Sequence, residues 1–201
     1  MGTQWEHASD DTPLVKACQN GDQAAFECLV RRHQRMLLNI AFRMTGVYED
    51  ACDIVQDSFL AAWQRMGEFR GDAKLSTWLA AIVINHSRNR RQQSRRRGER
   101  EAYSLDAPLP GNNGDRLPDP PSASLSALEQ LEDAELRTFL KQCIAALPPG
   151  FREVLVLRDM HEMTYDEVAG ALKLREGTVK SRLFRARDAV KECLKKTVKI
   201  V

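Results

Sequence analysis

Residues 164–187, TYDEVAGALKLREGTVKSRLFRAR, gather the side chains of this chain best suited to reading a nucleic acid. Lys180, Ser181, Arg182, Phe184 and Arg185 crowd into six positions. Lys and Arg donate to guanine edges or phosphates, Ser donates to either, and a Phe ring can meet a thymine methyl. Such groups need an element that presents them together. Val179, Leu183, Ala186 and Val190 recur at helical spacing, which predicts a helix with an apolar inner face and a cationic outer one. Thr178 caps or opens that helix, whose first amides can hold a phosphate. Upstream, Thr164 with Glu167 three residues later is a capping box. Val168, Ala169, Ala171 and Leu172 give the helix it starts an apolar face. The run Lys173 to Gly177 breaks the pattern, with Gly177 as the expected turn residue. Two short helices, the second one basic, form a helix-turn-helix of the kind that fits a major groove. Arg187 and Lys191 lie beside Asp188 and Glu192, so they are expected to touch only backbone or solvent.

Other chemistries find little support. Cys18, Cys28, Cys52, Cys143 and Cys193 are scattered, odd in number and never spaced C-x-x-C. That argues against a metal centre and against a disulfide framework, and for buried small hydrophobes in a reducing cytoplasm. The four histidines are equally dispersed, and no Gly-rich phosphate loop appears. No metal, cofactor or catalytic residue is expected, and the chain is not expected to be an enzyme. The N-terminus, MGTQWEHASDD, is polar and acidic, unlike a secretory signal. No apolar run approaches the roughly 20 residues of a membrane span. A cytoplasmic protein with no membrane insertion of its own is expected.

The net charge of +2 conceals a segregation. Residues 85–100 hold seven Arg against one Glu, 101–135 hold eight acids against one Arg, and 173–199 hold ten bases against three acids. Two basic blocks flanking an acidic spacer point to two phosphate-binding surfaces on separate bodies. The spacer contains Pro108, Pro110, Pro118, Pro120 and Pro121, with Gly111 to Gly114 among them. It can neither continue a helix nor pack a core. With 43% apolar residues, enrichment in Ala, Leu, Glu, Arg and Gln, and no strand-length alternation, the expected fold is all-α. It consists of two small helical domains, 11–98 and 126–196, joined by a flexible Pro/Gly-rich acidic linker, 99–125, the second domain carrying the helix-turn-helix.

Four helices are expected in the first domain. Thr12-Pro13 reads as a cap with proline at the first helical position. Gly21-Asp22 ends that helix and caps a second, whose stripe runs Phe26, Leu29, Val30, His33, Leu37, Ile40, Ala41 and Met44 and closes at Gly46. A third starts near Tyr48, carries Ala51, Ile54, Val55, Phe59, Ala62 and Trp63, and ends near Gly67. The fourth runs from Leu75 or Ser76 through Trp78, Leu79, Ile82 and Val83 into the arginine block, with Trp78 expected in the core.

Three segments now carry a family resemblance: DACDIVQDSFLAAW; FRGDAKLSTWLAAIVINHSRNRR; and LPPGFREVLVLRDMHEMTYDEVAGALKLREGTVKSRLFRAR. In this order and spacing the chain resembles a bacterial RNA polymerase sigma factor of the extracytoplasmic-function group, the minimal kind with only the second and fourth conserved regions. The likeness covers about 14–100 and 126–193.

The resemblance implies a division of roles. Asp53, Gln56, Asp57 and Phe59 would grip a basic coiled coil in the large β and β′ subunits of core polymerase, with charge steering and the aromatic supplying burial. Phe69, Asn85, Arg88, Asn89, Arg90 and Arg91 would bind the −10 element, Asn85 and the loop around Phe69 holding a flipped base. Relatives commonly have Asp where this chain has Asn89. Asn85 could instead cap or back-bond within its helix. Thr178, Lys180, Ser181, Arg182, Phe184 and Arg185 would bind the −35 element. The partners implied are core RNA polymerase, promoter DNA and an anti-sigma protein. The alternatives are a free-standing helix-turn-helix regulator, which leaves the acidic third-helix face unexplained, and a helical nucleic-acid enzyme, which lacks a catalytic constellation.

Overall fold

A computed structural model describes residues 10–101 and 127–198, all of whose regular elements are helical. The chain divides into two compact units between Gly114 and Asp115. The acidic, proline-rich spacer falls outside the described residues, except that 99–101 form the last residues of a helix rather than linker.

The first unit contains α1 (Thr12–Gln19), α2 (Gln23–Thr45), α3 (Tyr48–Gln64), a 3-10 turn (Met66–Glu68) and α4 (Leu75–Glu101). Its boundaries follow from capping chemistry. Asp22 Oδ1 accepts from the Ala25 amide at 3.1 Å, which starts α2. Gly46 ends it at φ +77°, a left-handed conformation that glycine adopts without a Cβ clash. Thr12 is not the cap of α1, contrary to the reading above. It is the first helical residue, and Asp10 Oδ1 accepts from both its amide, at 3.0 Å, and its hydroxyl, at 2.8 Å. The predicted stripes of α2 and α3 face each other: Leu29, Leu37, Ile40, Ala51, Ile54 and Ala62 are buried with Leu79 and Val83 of α4. Only the N-terminal part of α4 joins this core. Beyond Ser87, which is buried and donates to the Val83 carbonyl at 2.8 Å, the helix runs out into solvent.

At the other end of this core Asp11 ties α1 to α2. One oxygen accepts from Arg32 at 2.6 Å and the other lies 2.9 Å from His33 Nε2. Burial pushes the Asp11 carboxyl up, yet the bonds to His33 and Arg32 outweigh it, and its pKa lies below the ordinary value.

The second unit contains α5 (Ala127–Ala145), α6 (Pro149–Leu155), α7 (Tyr165–Leu172) and α8 (Glu176–Val198). α6 widens into a π turn over Val156–Met160. Helices α5, α6 and α7 all pack on α8, around Ile144, Leu147, Val154, Leu157, Val168, Leu172, Val179, Leu183 and Ala186. The capping box is present: the Thr164 hydroxyl accepts from the Glu167 amide at 3.2 Å, and Glu167 Oε2 accepts from the Thr164 amide at 2.7 Å.

The cysteine expectation needs correcting. Cys143 of α5 and Cys193 of α8 form a disulfide, with Cα atoms 5.8 Å apart across 50 positions of sequence. Sequence spacing could not show this, because the packing of α5 on α8 is what brings the two together. Cys18, Cys28 and Cys52 form no disulfide, the first buried and the others half-buried. Burial raises the Cys18 thiol to about 11, so it stays protonated as a small hydrophobe.

Candidate functional site

The helix-turn-helix is α7 and α8, and its turn lies inside the expected break from Lys173 to Gly177. Lys173, not Gly177, takes the left-handed conformation, at φ +55°. Leu174 N then donates back to the Ala169 carbonyl at 2.9 Å. α8 starts at Glu176, so Gly177 and Thr178 lie inside its first turn. Thr178 therefore does not cap the helix; its amide donates to the Arg175 carbonyl at 2.9 Å.

On α8 the expected DNA-facing side chains differ in their freedom. Phe184 is 74% exposed, an apolar ring standing in solvent with no intramolecular role that needs it there. Arg185 is exposed beside it. Lys180 is exposed but engaged: its Nζ lies 2.6 Å from Glu176 Oε1 and 5.4 Å from the centre of the Tyr165 ring. The Glu176 bond raises the Lys180 pKa, so the charge is retained. Arg158 covers Tyr165 as well, at 5.0 Å, so the ring anchors two cations beside α8. Ser181 donates to the Thr178 carbonyl at 3.0 Å. The half-buried Arg182 lies across Gly150 at the start of α6, where an added Cβ would sit 2.9 Å from Nη1. Arg187 is held by Asp159 through two bonds, 2.8 and 2.6 Å.

In the first unit, Asn85 and Asn89 are exposed one helical turn apart on α4, and Arg91 is exposed near them. Arg88 is half-buried. Phe69 is half-buried in the loop before α4, its ring 5.3 Å from that of Trp78, so Trp78 is neither wholly core nor a free platform. The loop is held by a residue the sequence reading passed over. Gln19 Nε2 donates to the Met66 carbonyl at 3.2 Å and to the Phe69 carbonyl at 2.9 Å. A polar residue at the end of a short helix carries no sequence signal for that role.

Arg90 is the second surprise. Its Nε and Nη2 donate to Asp50 Oδ1 at 2.9 and 2.6 Å, and Nη2 also reaches Asp53 Oδ2 at 3.2 Å. The Asp50 bond raises the pKa of Arg90 further above its ordinary value. This clasp joins α4 to α3 and links a residue expected at DNA to one expected at a protein partner.

On α3, Asp53, Gln56 and Asp57 are exposed on one side. Phe59, among the apolar residues expected on α3, is 8% exposed, and its ring meets Phe26 edge-on with centroids 6.2 Å apart. The exposed apolar residue of α3 is its neighbour Leu60, at 56%. Phe59 instead floors an apolar groove between α2 and α3 whose walls include Val30, Leu38, Val55 and Leu60. Gln56 lines that groove together with Gln34 and the cationic Arg35, while Asp53 and Asp57 are exposed on α3 outside its lining. Among the described residues no His/Cys/Asp/Glu group could hold a metal, and no helix is long and apolar enough to cross a membrane.

Comparison with known proteins follows the same division. The Sigma-70 region 2 family model matches residues 29–97, and the Sigma-70 region 4 model matches residues 140–190. The RNA polymerase sigma-H factor of Pseudomonas aeruginosa is 33% identical over 189 residues, covering 92% of this chain and 93% of that protein. The ECF RNA polymerase sigma-E factor of Escherichia coli is 33% identical over 183 residues, 90% of this chain and 92% of the relative. Among solved structures, CnrH in complex with the cytosolic domain of CnrY superposes with a TM-score of 0.62 at 27% identity, over 92% of this chain and 97% of that one. The sigma factor RpoE of Bartonella quintana, solved with the anti-sigma factor NepR, has a TM-score of 0.61 at 24% identity over 85% and 96% of the two chains, a likeness of fold.

Proposed function

We propose a division of labour for this chain, which belongs to the extracytoplasmic-function sigma factors of RNA polymerase. As a sigma factor it recognises promoters for the polymerase and acts by binding. The assignment of residues to that work is our reading. A region-2 domain, 11–98, binds core polymerase and the −10 element, and a region-4 domain, 126–196, binds the −35 element. Its place of action is the bacterial cytoplasm.

The observation that carries this reading is that each unit exposes its own polar or basic face on a helix anchored in its own core. In the first, Asn85, Asn89 and Arg91 lie where α4 leaves the core. Opening a duplex costs unstacking, and a protein offsets that by holding extruded bases and tracking the strand with cations. Two exposed amides on α4, with the half-buried Phe69 in the loop that precedes this helix, suit that task. In the second, Phe184 and Arg185 are the residues of α8 most available to base edges. Lys180 and Arg182, engaged within the domain, are pre-set for phosphates or for exchange of partner on binding. Asp53, Gln56, Asp57 and the groove floored by Phe59 suit a basic helical partner in core polymerase. The same groove makes an anti-sigma protein a competing partner. Such inhibition accords with the complexes of similar fold described above.

The test is Asn85→Ala, compared with the parent in transcription on duplex DNA and on a template with a pre-melted −10 bubble. Reduced transcription on duplex, restored on the bubble, is expected. Normal duplex transcription would mean that Asn85 only bonds within its own helix.

A further inference from the structure

We infer that Cys143 and Cys193 are a reversible dithiol–disulfide pair, an oxidation site that staples α5 to the C-terminal part of α8 in response to small-molecule disulfides. The formation of the bond rests on geometry alone. Its use as a switch rests on the cytoplasmic location proposed above, where a thiol pool keeps most cysteines reduced.

The two residues are placed unequally. Cys143 is 3% exposed on the inner side of α5, whereas Cys193 is half-buried on α8. Their Cα atoms stand 5.8 Å apart, within the span a disulfide needs, so the packing of α5 on α8 accommodates the bond. The reaction balances with glutathione disulfide as oxidant. The Cys193 thiolate attacks one sulfur of that disulfide, forms a mixed disulfide and expels one glutathione thiolate. The Cys143 thiolate then attacks Cys193 Sγ and expels the second. Two protein thiols lose two protons and two electrons, and one glutathione disulfide becomes two glutathione molecules. Excess glutathione drives the reverse. Cys193 is the entry point because Cys143 is covered. Cys18 and Cys28, the nearest other pair in sequence, lie on different helices of the first unit and are not bonded to each other.

The bond has a specific mechanical consequence. Leu140 and Ile144 of α5, Leu155 and Met160 of the α6 segment, and Val190 and Leu194 of α8 line an apolar groove beside it. Ile144 and Leu194 directly follow the two cysteines in sequence. Oxidation therefore fixes two walls of that groove by a covalent bond, in addition to the packing of α5 and the hydrogen bond that Arg152 donates to the Ala145 carbonyl. The reading residues are spared: Arg185 is eight positions before Cys193, about 12 Å along the helix.

The experiment uses the full chain in glutathione buffers spanning fully reduced to fully oxidised. Differential alkylation with peptide mapping identifies the bond, and calorimetry follows the unfolding of the second domain. Closing a loop across 50 positions constrains the unfolded chain, so the second-domain transition should rise by roughly 10–20 °C on oxidation. That rise should be absent in Cys193→Ser. At 25 °C the affinity for −35 duplex should change by less than about twofold, the bond lying about 12 Å from Arg185. Three results would each overturn the inference: no Cys143–Cys193 peptide from native oxidised protein, a bond that survives a large excess of reduced glutathione, or a transition that rises equally in Cys193→Ser. None of these depends on whether the chain initiates transcription, so failure here leaves the proposed function standing.

Discussion

Removing the Asp50 carboxylate should cost the first unit about 1–2 kcal/mol, because that group holds Arg90 rather than leaving it to DNA. The side chains of Arg90 and Asp50 are 39% and 26% exposed. The pair therefore falls between an exposed ion pair, about 0.2–1 kcal/mol, and a sheltered hydrogen bond to a charged group, about 1.5–3 kcal/mol. The added leg to Asp53, itself 61% exposed, contributes a few tenths at most. A double-mutant cycle of Asp50→Ala and Arg90→Ala isolates the coupling. Urea unfolding followed by tryptophan fluorescence suits it, since Trp63 and Trp78 lie in the first unit and no tryptophan follows the acidic spacer. A coupling of about 1 kcal/mol is expected. Asp50→Ala should also leave binding of −10 single strand intact or slightly tighter, because it frees a cation. A coupling below about 0.3 kcal/mol, with Arg90→Ala losing strand binding, would refute the clasp and return Arg90 to the DNA.

Other perturbations separate surface from scaffold. Phe184→Ala should change stability by less than about 0.5 kcal/mol, given its exposure, while weakening −35 duplex binding measured by fluorescence anisotropy. Thr164→Ala removes the cap of α7 and should cost the second unit about 1 kcal/mol by calorimetry. Asp57→Arg should abolish core polymerase binding in a pull-down and leave the circular dichroism unchanged; Asp53 is a poorer choice for this test because it touches Arg90. Asp11 sets an acid response. Its folded pKa lies below the ordinary 3.8, so its contribution is present above that value and lost as pH falls through the folded one. Asp11→Asn should therefore lower first-unit stability at pH 7 and flatten its dependence below about pH 4.

Much of this was legible from residue order. Helical periodicity placed the faces of α2, α3, α7 and α8, because a residue's burial in a packed helix repeats every three to four positions. The capping box at Thr164 and the stop at Gly46 were readable because their partners lie within a few residues. What escaped depends on long-range packing. The Cys143–Cys193 bond and the Arg90–Asp50 clasp join positions 50 and 40 residues apart. Helical spacing gives the face on which Phe59 lies but not the depth at which α2 covers it. The turn before α8 was assigned to Gly177 on glycine's freedom, yet Lys173 takes the left-handed position, at the end of α7 where the chain must reverse. Gln19, which holds the Phe69 loop, belongs to the same class of long-range contact.

Run-off transcription with purified core RNA polymerase on genomic fragments tests the central claim most directly. The account predicts discrete transcripts only when both core enzyme and this chain are present. Their promoters should share two spaced elements, and Asp57→Arg should abolish every transcript. Tight, specific duplex binding by the chain alone, with core enzyme neither bound nor redirected, would contradict it.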